Sequence, residues 1–292
     1  MHRGSHVILN GEILPRKDAR ISVEDLGFLL GDGVFETLRV YQGVPFLIDE
    51  HLARLFASLR RVQLQIPWNR DQLRAQIRLL VERNALLHVD GRLRLTVTRG
   101  PGTPPARAHG EPTVLITAEP YVPLDLQVYE QGVDVRTSLY RRAPHPRYQV
   151  KSTSYQPNLQ MRRETDANGA FEVLQWNTDG YLVEGSFTNV FVVDAQGVLR
   201  TPHPREGCLK GVTRGAVLSL AGRRGIRTHQ GEVGAEIVAA AREVFLTGSM
   251  VEIVPVRRLD ERKLRGACPG PLTRSIQRSY GSLVAAVVGG QR

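Results

Sequence analysis

The stretch Val183-Glu184-Gly185-Ser186-Phe187-Thr188-Asn189-Val190-Phe191 sets one acidic residue and a run of small residues between two apolar segments. Residues 190–193 are typical of a buried strand, and a shorter strand is predicted to end at Glu184. A single glutamate at the end of a strand is usually exposed to solvent. The functional alternative is a carboxylate that pairs with the protonated ring nitrogen of a bound aromatic group.

Other strands and helices surround this stretch in the second half of the chain. Apolar runs predict strands at residues 171–176, 190–193, 243–246 and 251–256, and helical periodicity predicts helices at 212–223, 233–242 and 271–287.

The first half mixes both kinds of element. Residues 7–48 are predicted as short strands and turns, followed by a helix that Asp49 caps and a second helix buried through residues 73–81. Strands are expected at 93–97 and 114–116. This pattern predicts the α+β class.

A chain of 292 residues is long for one core and sufficient for two. We expect a smaller α+β domain at 1–118, a linker with two prolines at 119–127, and a larger domain at 128–292. A proline-containing loop at 100–112 is long for a compact domain, and such loops are usually functional or mobile.

The net charge of +10 comes mostly from arginine, since only four of the 39 basic residues are lysine. Nucleic-acid binding is one interpretation, but the arginines are scattered and no nucleic-acid-binding motif accompanies them, so we expect no nucleic-acid partner. No apolar run approaches the roughly 18 residues of a membrane helix, so no membrane partner is expected either. Two separated cysteines favour a reducing cytoplasm, and no metal-ligand spacing is present.

Lys151 is the best candidate for a reactive amine. It lies between Tyr148-Gln149-Val150 and Ser152-Thr153-Ser154, with few charges nearby. A lysine that forms a Schiff base needs a depressed pKa and therefore a half-buried, uncharged setting. The alternative is an ordinary lysine with a packed stem and a solvated amine.

Three further segments could bind phosphate. In 207–214 a glycine turn enters a helix, so the N–H groups of Val212 and Thr213 could hold an anion; the alternative is an ordinary capped helix. Thr247-Gly248-Ser249-Met250 follows a strand and is either a phosphate contact or a common turn. Arg54 lies beside the apolar stripe of its helix, as a surface side chain or as a fork for phosphate.

The order and spacing of these pieces resemble the class IV, or fold-type IV, family of pyridoxal-phosphate (PLP) aminotransferases. The matching stretches run from about residue 21 to 255 and comprise 26–36, 50–55, 150–152, 184–191, 211–214 and 245–249. The resemblance implies a two-domain enzyme with a small α/β N-terminal domain, a larger pseudo-barrel C-terminal domain, and a homodimer.

It also implies roles for individual residues. Lys151 would form the Schiff base with PLP and move the substrate proton, and Glu184 would pair with the pyridine nitrogen. The phosphate would be held by Arg54, Val212, Thr213 and Ser249, with Leu209 against the ring face.

Within the family the closest resemblance is to D-amino-acid aminotransferases. Arg107 and His109 look like their pair that holds the substrate carboxylate, although an exposed polar loop is the alternative. Phe35, Ser249 and Met250 are the other expected substrate contacts, and Phe35 stands where D-amino-acid aminotransferases often carry tyrosine. Substrates would be an amino acid and a 2-keto acid such as 2-oxoglutarate or pyruvate. Branched-chain L-amino-acid aminotransferase and aminodeoxychorismate lyase remain alternatives.

Overall fold

The computed structural model describes residues 4–105, 107–264 and 266–290. Its contacts divide the chain into two compact units. The first contains the chain up to Pro123, the short segment Val150–Tyr155 and the residues from Val284 onward, and the second contains Leu124–Gln149 and Gln156–Leu283.

The first unit is built on an antiparallel sheet of six strands in the order β2-β1-β8-β5-β3-β4. Its strands are β1 (His6–Leu9), β2 (Glu12–Pro15), β3 (Gly33–Tyr41), β4 (Val44–Pro45), β5 (Gly91–Thr98) and β8 (Thr113–Pro120), with β6 (Gly102–Thr103) and β7 (Arg107–Ala108) as a separate pair. Its helices are α1 (Leu26–Leu30), α2 (Ile48–Arg61) and α3 (Arg70–Arg83).

The core of this unit lies between the sheet and helices α2 and α3. In β5 the residues with odd numbers from Gly91 to Val97 are buried, because successive side chains of a strand point to opposite faces. Leu55 and Ile77 are among the helix residues that pack in the same cluster. Both helices were predicted from their apolar periodicity, and both are confirmed.

The prediction that Asp49 caps α2 was wrong. The residue at the N-cap is Leu47, in the left-handed region with φ 50°, and no side chain caps the helix. Asp49 lies in the first turn, where its charge still favours the positive end of the helix dipole.

The second unit contains a sheet of nine strands that curls into a half-barrel. Eight of them follow the order β11-β10-β9-β16-β15-β12-β13-β14, and β17 pairs with β16. The strands are β9 (Val133–Arg142), β10 (Glu172–Asn177), β11 (Leu182–Gly185), β12 (Asn189–Val193), β13 (Leu199–Pro202), β14 (Thr228–Gly231), β15 (Glu243–Gly248), β16 (Glu252–Leu259) and β17 (Arg262–Lys263).

The helices of this part of the chain are α4 (Leu126–Gln131), α5 (Gln156–Asn168), α6 (Val212–Arg223), α7 (Ala235–Ala239) and α8 (Pro271–Gly290), with short 3₁₀ turns at Pro146–Gln149 and Pro204–Glu206. The predicted helices at 212–223 and 271–287 are confirmed, and the one predicted at 233–242 is shorter. Helix α5 was not predicted, because its sequence has almost no apolar face.

The segment 100–112 is partly ordered by its own hydrogen bonds. Its ends form the β6–β7 pair, with Gly102 opposite Ala108 and Thr103 opposite Arg107. Ala106 and the side chain of Arg107 lie outside the described residues.

The predicted linker at 119–127 contains the point, after Pro123, at which the chain enters the second unit. The segment Val150–Tyr155, expected in the larger domain at 128–292, belongs instead to the first unit. Its backbone explains why, since Ser152 bridges to Val34 of β3. Throughout the part of the chain that is described, no helix combines the length and the hydropathy needed to span a bilayer.

Candidate active site

Strand β3 holds Lys151 in the first unit. The Phe35 N–H donates to the Lys151 carbonyl over 2.9 Å, and the Thr153 N–H donates to the Gly33 carbonyl over 2.9 Å. The Thr153 hydroxyl also donates to the Gly31 carbonyl at 2.7 Å. These bonds on both sides of Lys151 fix its backbone against the start of β3.

The Lys151 amine lies among aromatic rings. Its Nζ is 4.5 Å from the centroid of Phe35 and 6.0 Å from that of Tyr155, and the two rings meet edge to face at 5.4 Å. The guanidinium carbon of Arg94 lies 3.7 Å from the Phe35 centroid. Phe35, which was expected to contact the substrate, therefore lies against both the Lys151 amine and the Arg94 guanidinium, a cation not identified from the sequence.

Arg54 forms a buried cluster with two residues of the same unit. Its Nε and Nη2 donate to the two carboxylate oxygens of Glu36 at 2.8 and 2.6 Å. His51 Nδ1 lies 2.7 Å from Glu36 Oε2. A two-point contact of this kind holds a guanidinium in one orientation.

The electrostatics of this cluster follow from burial and charge. Burial alone would raise the pKa of Glu36, but the charge and hydrogen bonds of Arg54, helped by His51, lower it to about 2. Burial lowers the pKa of His51, and the charges of Arg54 and Lys151 lower it further against the effect of Glu36. At neutral pH the cluster therefore consists of an ionised glutamate, a cationic arginine and a neutral histidine.

Glu184 occupies a buried, fully hydrogen-bonded position in the second unit. Arg142 Nη2 donates to its Oε1 at 2.9 Å, while Asn189 Nδ2 and the Leu209 N–H donate to its Oε2 at 3.1 and 2.9 Å. A cation and two neutral donors stabilise the charged form of such a carboxylate. The alternative of a solvent-exposed Glu184 is thus excluded, and Leu209 donates its backbone N–H to the same carboxylate.

Helix α6 begins where the glycine turn was expected to feed into it. Val212 is its first residue, after Gly211 at the N-cap, and Thr213 is buried. A Cβ atom at Gly211 would stand 1.9 Å from Asn189 Oδ1, so only glycine allows this close approach.

Strand pairing brings a further hydroxyl to Asn189. In the register of β12 and β15, Asn189 is opposite Thr247. The Thr247 Oγ1 is buried and has no hydrogen-bond partner among the described residues. An unsatisfied buried hydroxyl costs about 1–3 kcal/mol, so it indicates a group that a ligand oxygen can satisfy.

These features fit PLP. The chain offers an amine for the aldehyde, a buried and hydrogen-bonded carboxylate for the ring nitrogen, and a helix N-terminus with an unsatisfied hydroxyl for the phosphate.

The remaining predicted residues lie in the turn after β15 and in the segment 100–112. Ser249 and Met250 lie in the turn after β15 and are half-buried. His109 is exposed, and its N–H donates to the Pro101 carbonyl over 3.2 Å. The described contacts therefore assign no partner to the side chain of His109, and the side chain of Arg107 lies outside the described residues.

Several residues of these groups were missed from the sequence, namely Glu36, His51, Arg94, Arg142 and Asn189, whereas Thr247 lay in a segment considered as a phosphate contact. One signal was available, because His51 and Arg54 are three residues apart and so share a helix face. The others depend on strand register or on contacts between distant segments.

Comparison with known proteins gives a consistent result. The sequence profile described as amino-transferase class IV matches residues 33–259. A putative branched-chain-amino-acid aminotransferase of Methanocaldococcus jannaschii is 34% identical over 280 residues, covering 94% of each chain. A D-alanine aminotransferase of Bacillus licheniformis is 31% identical over 271 residues, covering 93% of this chain and 94% of its own.

Solved structures agree. A branched-chain amino acid aminotransferase of Escherichia coli superposes with a TM-score of 0.90 at 30% identity, over 96% of this chain and 95% of the other. A hypothetical aminotransferase of Mycobacterium tuberculosis in a PLP-bound form gives a TM-score of 0.82 at 27% identity, over 98% and 99% of the two chains.

Proposed function

This chain belongs to the class IV aminotransferases, which depend on PLP, and we propose that it moves the amino group of an amino acid, with D-amino acids favoured, to a 2-keto acid such as 2-oxoglutarate or pyruvate. One observation carries the proposal. The Lys151 amine and the Arg94 guanidinium both lie against the ring of Phe35. An amine that can react at the α-carbon of a substrate and a cation that can bind the adjacent carboxylate thus lie against the same ring.

Each end of the cofactor has residues that would hold it. Lys151 would bond its aldehyde carbon, Glu184 its ring nitrogen, and Arg54 and the N-terminus of α6 its phosphate. When bound, PLP supplies a carbonyl carbon that accepts the amino group and a ring that accepts electrons.

The side chains of this protein would then control protons. The Lys151 amine would take the proton from the substrate α-carbon as a base and return it as an acid. Glu184, whose carboxylate accepts from Arg142 and from the Leu209 N–H, would pair with the ring nitrogen and favour its protonated form. Both roles need the residue types found at these positions.

Anionic substrates would be held by arginine. Arg94 is placed beside Lys151 through Phe35, and Arg107 with His109 resembles the carboxylate-binding pair of D-amino-acid aminotransferases. The second candidate function is branched-chain L-amino-acid transamination. It is favoured by Phe35, whose ring offers an apolar contact 4.5 Å from the amine and no hydroxyl for a carboxylate.

We also propose a homodimer and a cytoplasmic location. Large apolar side chains are exposed along residues 21–30, as at a surface that a second copy covers. Both cysteines are free thiols, which suits a reducing compartment.

Replacing Lys151 by alanine tests the proposal most directly. We expect Lys151→Ala to fold, to lose the visible absorbance band of the lysine-bound cofactor, and to lose turnover by at least about 10²–10⁴-fold, the usual contribution of a general acid–base. Lys17→Ala, which changes a solvent-exposed lysine, should behave as the parent. Retention of parental turnover in Lys151→Ala rules out the assigned role.

Substrate preference is tested by a panel of amino donors of both hands with 2-oxoglutarate and with pyruvate as acceptors. D-alanine should give a higher kcat/KM than L-leucine. Arg94→Met should raise the KM for both 2-oxoglutarate and pyruvate by about 10- to 100-fold, the worth of one charge-assisted hydrogen bond, because both acceptors carry a carboxylate next to the reacting carbon.

Arg92→Met is the matched control, since Arg92 is an exposed arginine two residues earlier on the same strand. A preference for L-leucine would replace the D-amino-acid assignment by the branched-chain one. Release of pyruvate without any acceptor would point to the lyase.

A further inference from the structure

A second glutamate near Glu184 has no part in the chemistry described so far. Glu172, the first residue of β10, is 0% exposed. Its Oε1 accepts from the Ser186 N–H at 2.9 Å and the Ser186 hydroxyl at 2.6 Å, and its Oε2 accepts from the Phe187 N–H at 3.2 Å and the Thr188 hydroxyl at 3.0 Å. One carboxylate therefore forms the polar interior of the turn that follows Glu184.

That turn connects Glu184 to Asn189, the residue whose side chain donates to the Glu184 carboxylate. The Gly185 N–H donates to the Thr188 carbonyl over 2.7 Å, which closes the turn. Glu184 precedes the turn and Asn189 follows it, and Asn189 Nδ2 donates to Glu184 Oε2 at 3.1 Å. The conformation of residues 185–188 thus sets where these two side chains meet.

The turn and Glu172 are packed without spare room. A Cβ atom at Gly185 would stand 2.4 Å from the Thr188 hydroxyl and 2.5 Å from Glu172 Oε2. A glutamine at 172 would keep this volume, but its amide nitrogen would face donors instead of accepting from them. At least one backbone N–H or hydroxyl would lose its partner, and the turn would have to shift.

We propose that Glu172 is a positioning residue whose carboxylate fixes the 185–188 turn and thereby the placement of Glu184 that sets the proton affinity of the cofactor ring nitrogen. The inference rests on the proposed role of Glu184. It assigns Glu172 no contact with substrate or cofactor.

The chain contains a matched control for this residue. Glu243 is also a buried glutamate at the start of a strand, and it accepts from the Leu272 N–H, the Thr273 N–H and the Thr273 hydroxyl at 3.1, 2.7 and 2.6 Å. A Cβ atom at Gly270 would also crowd it, at 2.2 Å from its Cδ. Glu243 therefore makes the same kind of contacts, but with the first turn of α8, which leads to neither Glu184 nor Asn189.

The experiment compares the holoenzymes of Glu172→Gln, Glu243→Gln and Glu184→Gln with the parent. The readouts are Tm, the PLP dissociation constant, and the pH at which the absorbance of the bound cofactor changes by half. Glu172→Gln and Glu243→Gln should both lower Tm. Of these two variants, only Glu172→Gln should move the absorbance midpoint. The shift should be about one pH unit, in the same direction as in Glu184→Gln. PLP should bind about tenfold more weakly, as is typical when a residue that supports a direct ligand contact is lost.

Glu172→Asp provides a second test if Glu172→Gln does not fold. It keeps the carboxyl group on a shorter side chain and should give a smaller shift in the same direction. A parental midpoint in either folded variant, with only Tm lowered, overturns the inference and leaves the proposed function intact. A parental midpoint in Glu184→Gln overturns both the inference and the proposed role of Glu184. Failure of the parent chain to bind PLP overturns the proposed function itself.

Discussion

At the scale of single residues, the cluster of Glu36, His51 and Arg54 shows how burial and pairing act together. Glu36 is 1% exposed and its side chain would be unstable as a lone charge, yet the Arg54 guanidinium lowers its pKa to about 2. A carboxyl whose folded pKa lies below its ordinary value stabilises the fold when ionised. That contribution is present above the ordinary pKa and is lost as the pH falls toward the folded value.

The pH dependence of stability should therefore change in Glu36→Gln. We expect a neutral-pH free energy of unfolding about 3–5 kcal/mol lower than the parent's, because Arg54 loses its buried partner. Between pH 4.5 and about 2, the ordinary and folded values, the parent should lose about 3 kcal/mol that the variant does not. Denaturant unfolding followed at a series of pH values measures both effects.

Glu50→Gln serves as the control, since Glu50 is an exposed glutamate on α2, the helix that carries His51 and Arg54. Its unfolding free energy should follow the parent's at every pH. If the free energies of unfolding of Glu36→Gln and of the parent fall equally between pH 4.5 and about 2, Arg54 does not hold Glu36 ionised as described.

At the scale of elements, periodicity predicted what local sequence determines. Helices α2 and α3 carry apolar stripes from which both were predicted, and the glycine turn before Val212 predicted the start of α6. Helix α5 lacks such a stripe, so no local signal marked it.

Strand register explains the site residues that were missed. Arg94 reaches Phe35 because β5 lies beside β3, and Thr247 reaches Asn189 because β15 lies beside β12. The residues of each pair are more than fifty positions apart in the sequence. Periodicity predicts that a strand exists but not which strand it pairs with, so neither contact could be derived from the sequence alone.

At the scale of the whole chain, the family resemblance extended further than local patterns. It identified Lys151 as a site residue, although the segment Val150–Tyr155 joins the first unit only through contacts such as that of Ser152 with Val34. That segment was predicted in the larger domain, because domain boundaries inferred from composition cannot detect a short segment that returns to an earlier sheet.

The proposed dimer rests on apolar side chains exposed in one segment of the first unit. In the segment 21–30 the exposed fractions are 47% for Ile21, 78% for Val23, 75% for Phe28, 44% for Leu29 and 47% for Leu30. Five large apolar side chains exposed within ten residues are more than a monomer surface usually carries in one place. A second copy that covers them would remove this apolar area from water at about 25 cal/mol per Å².

Sedimentation equilibrium should therefore give a mass of twice the 32.5 kDa of one chain, and Phe28→Glu should lower it toward that of a monomer at the same concentration. The buried charge would lack a partner and would oppose association. Leu79→Glu is the control, because Leu79 is a 50% exposed leucine on α3, outside this segment, and its replacement should leave the mass unchanged. A parental mass for Phe28→Glu would place the contact between copies elsewhere on the chain, and a monomeric parent would refute the dimer.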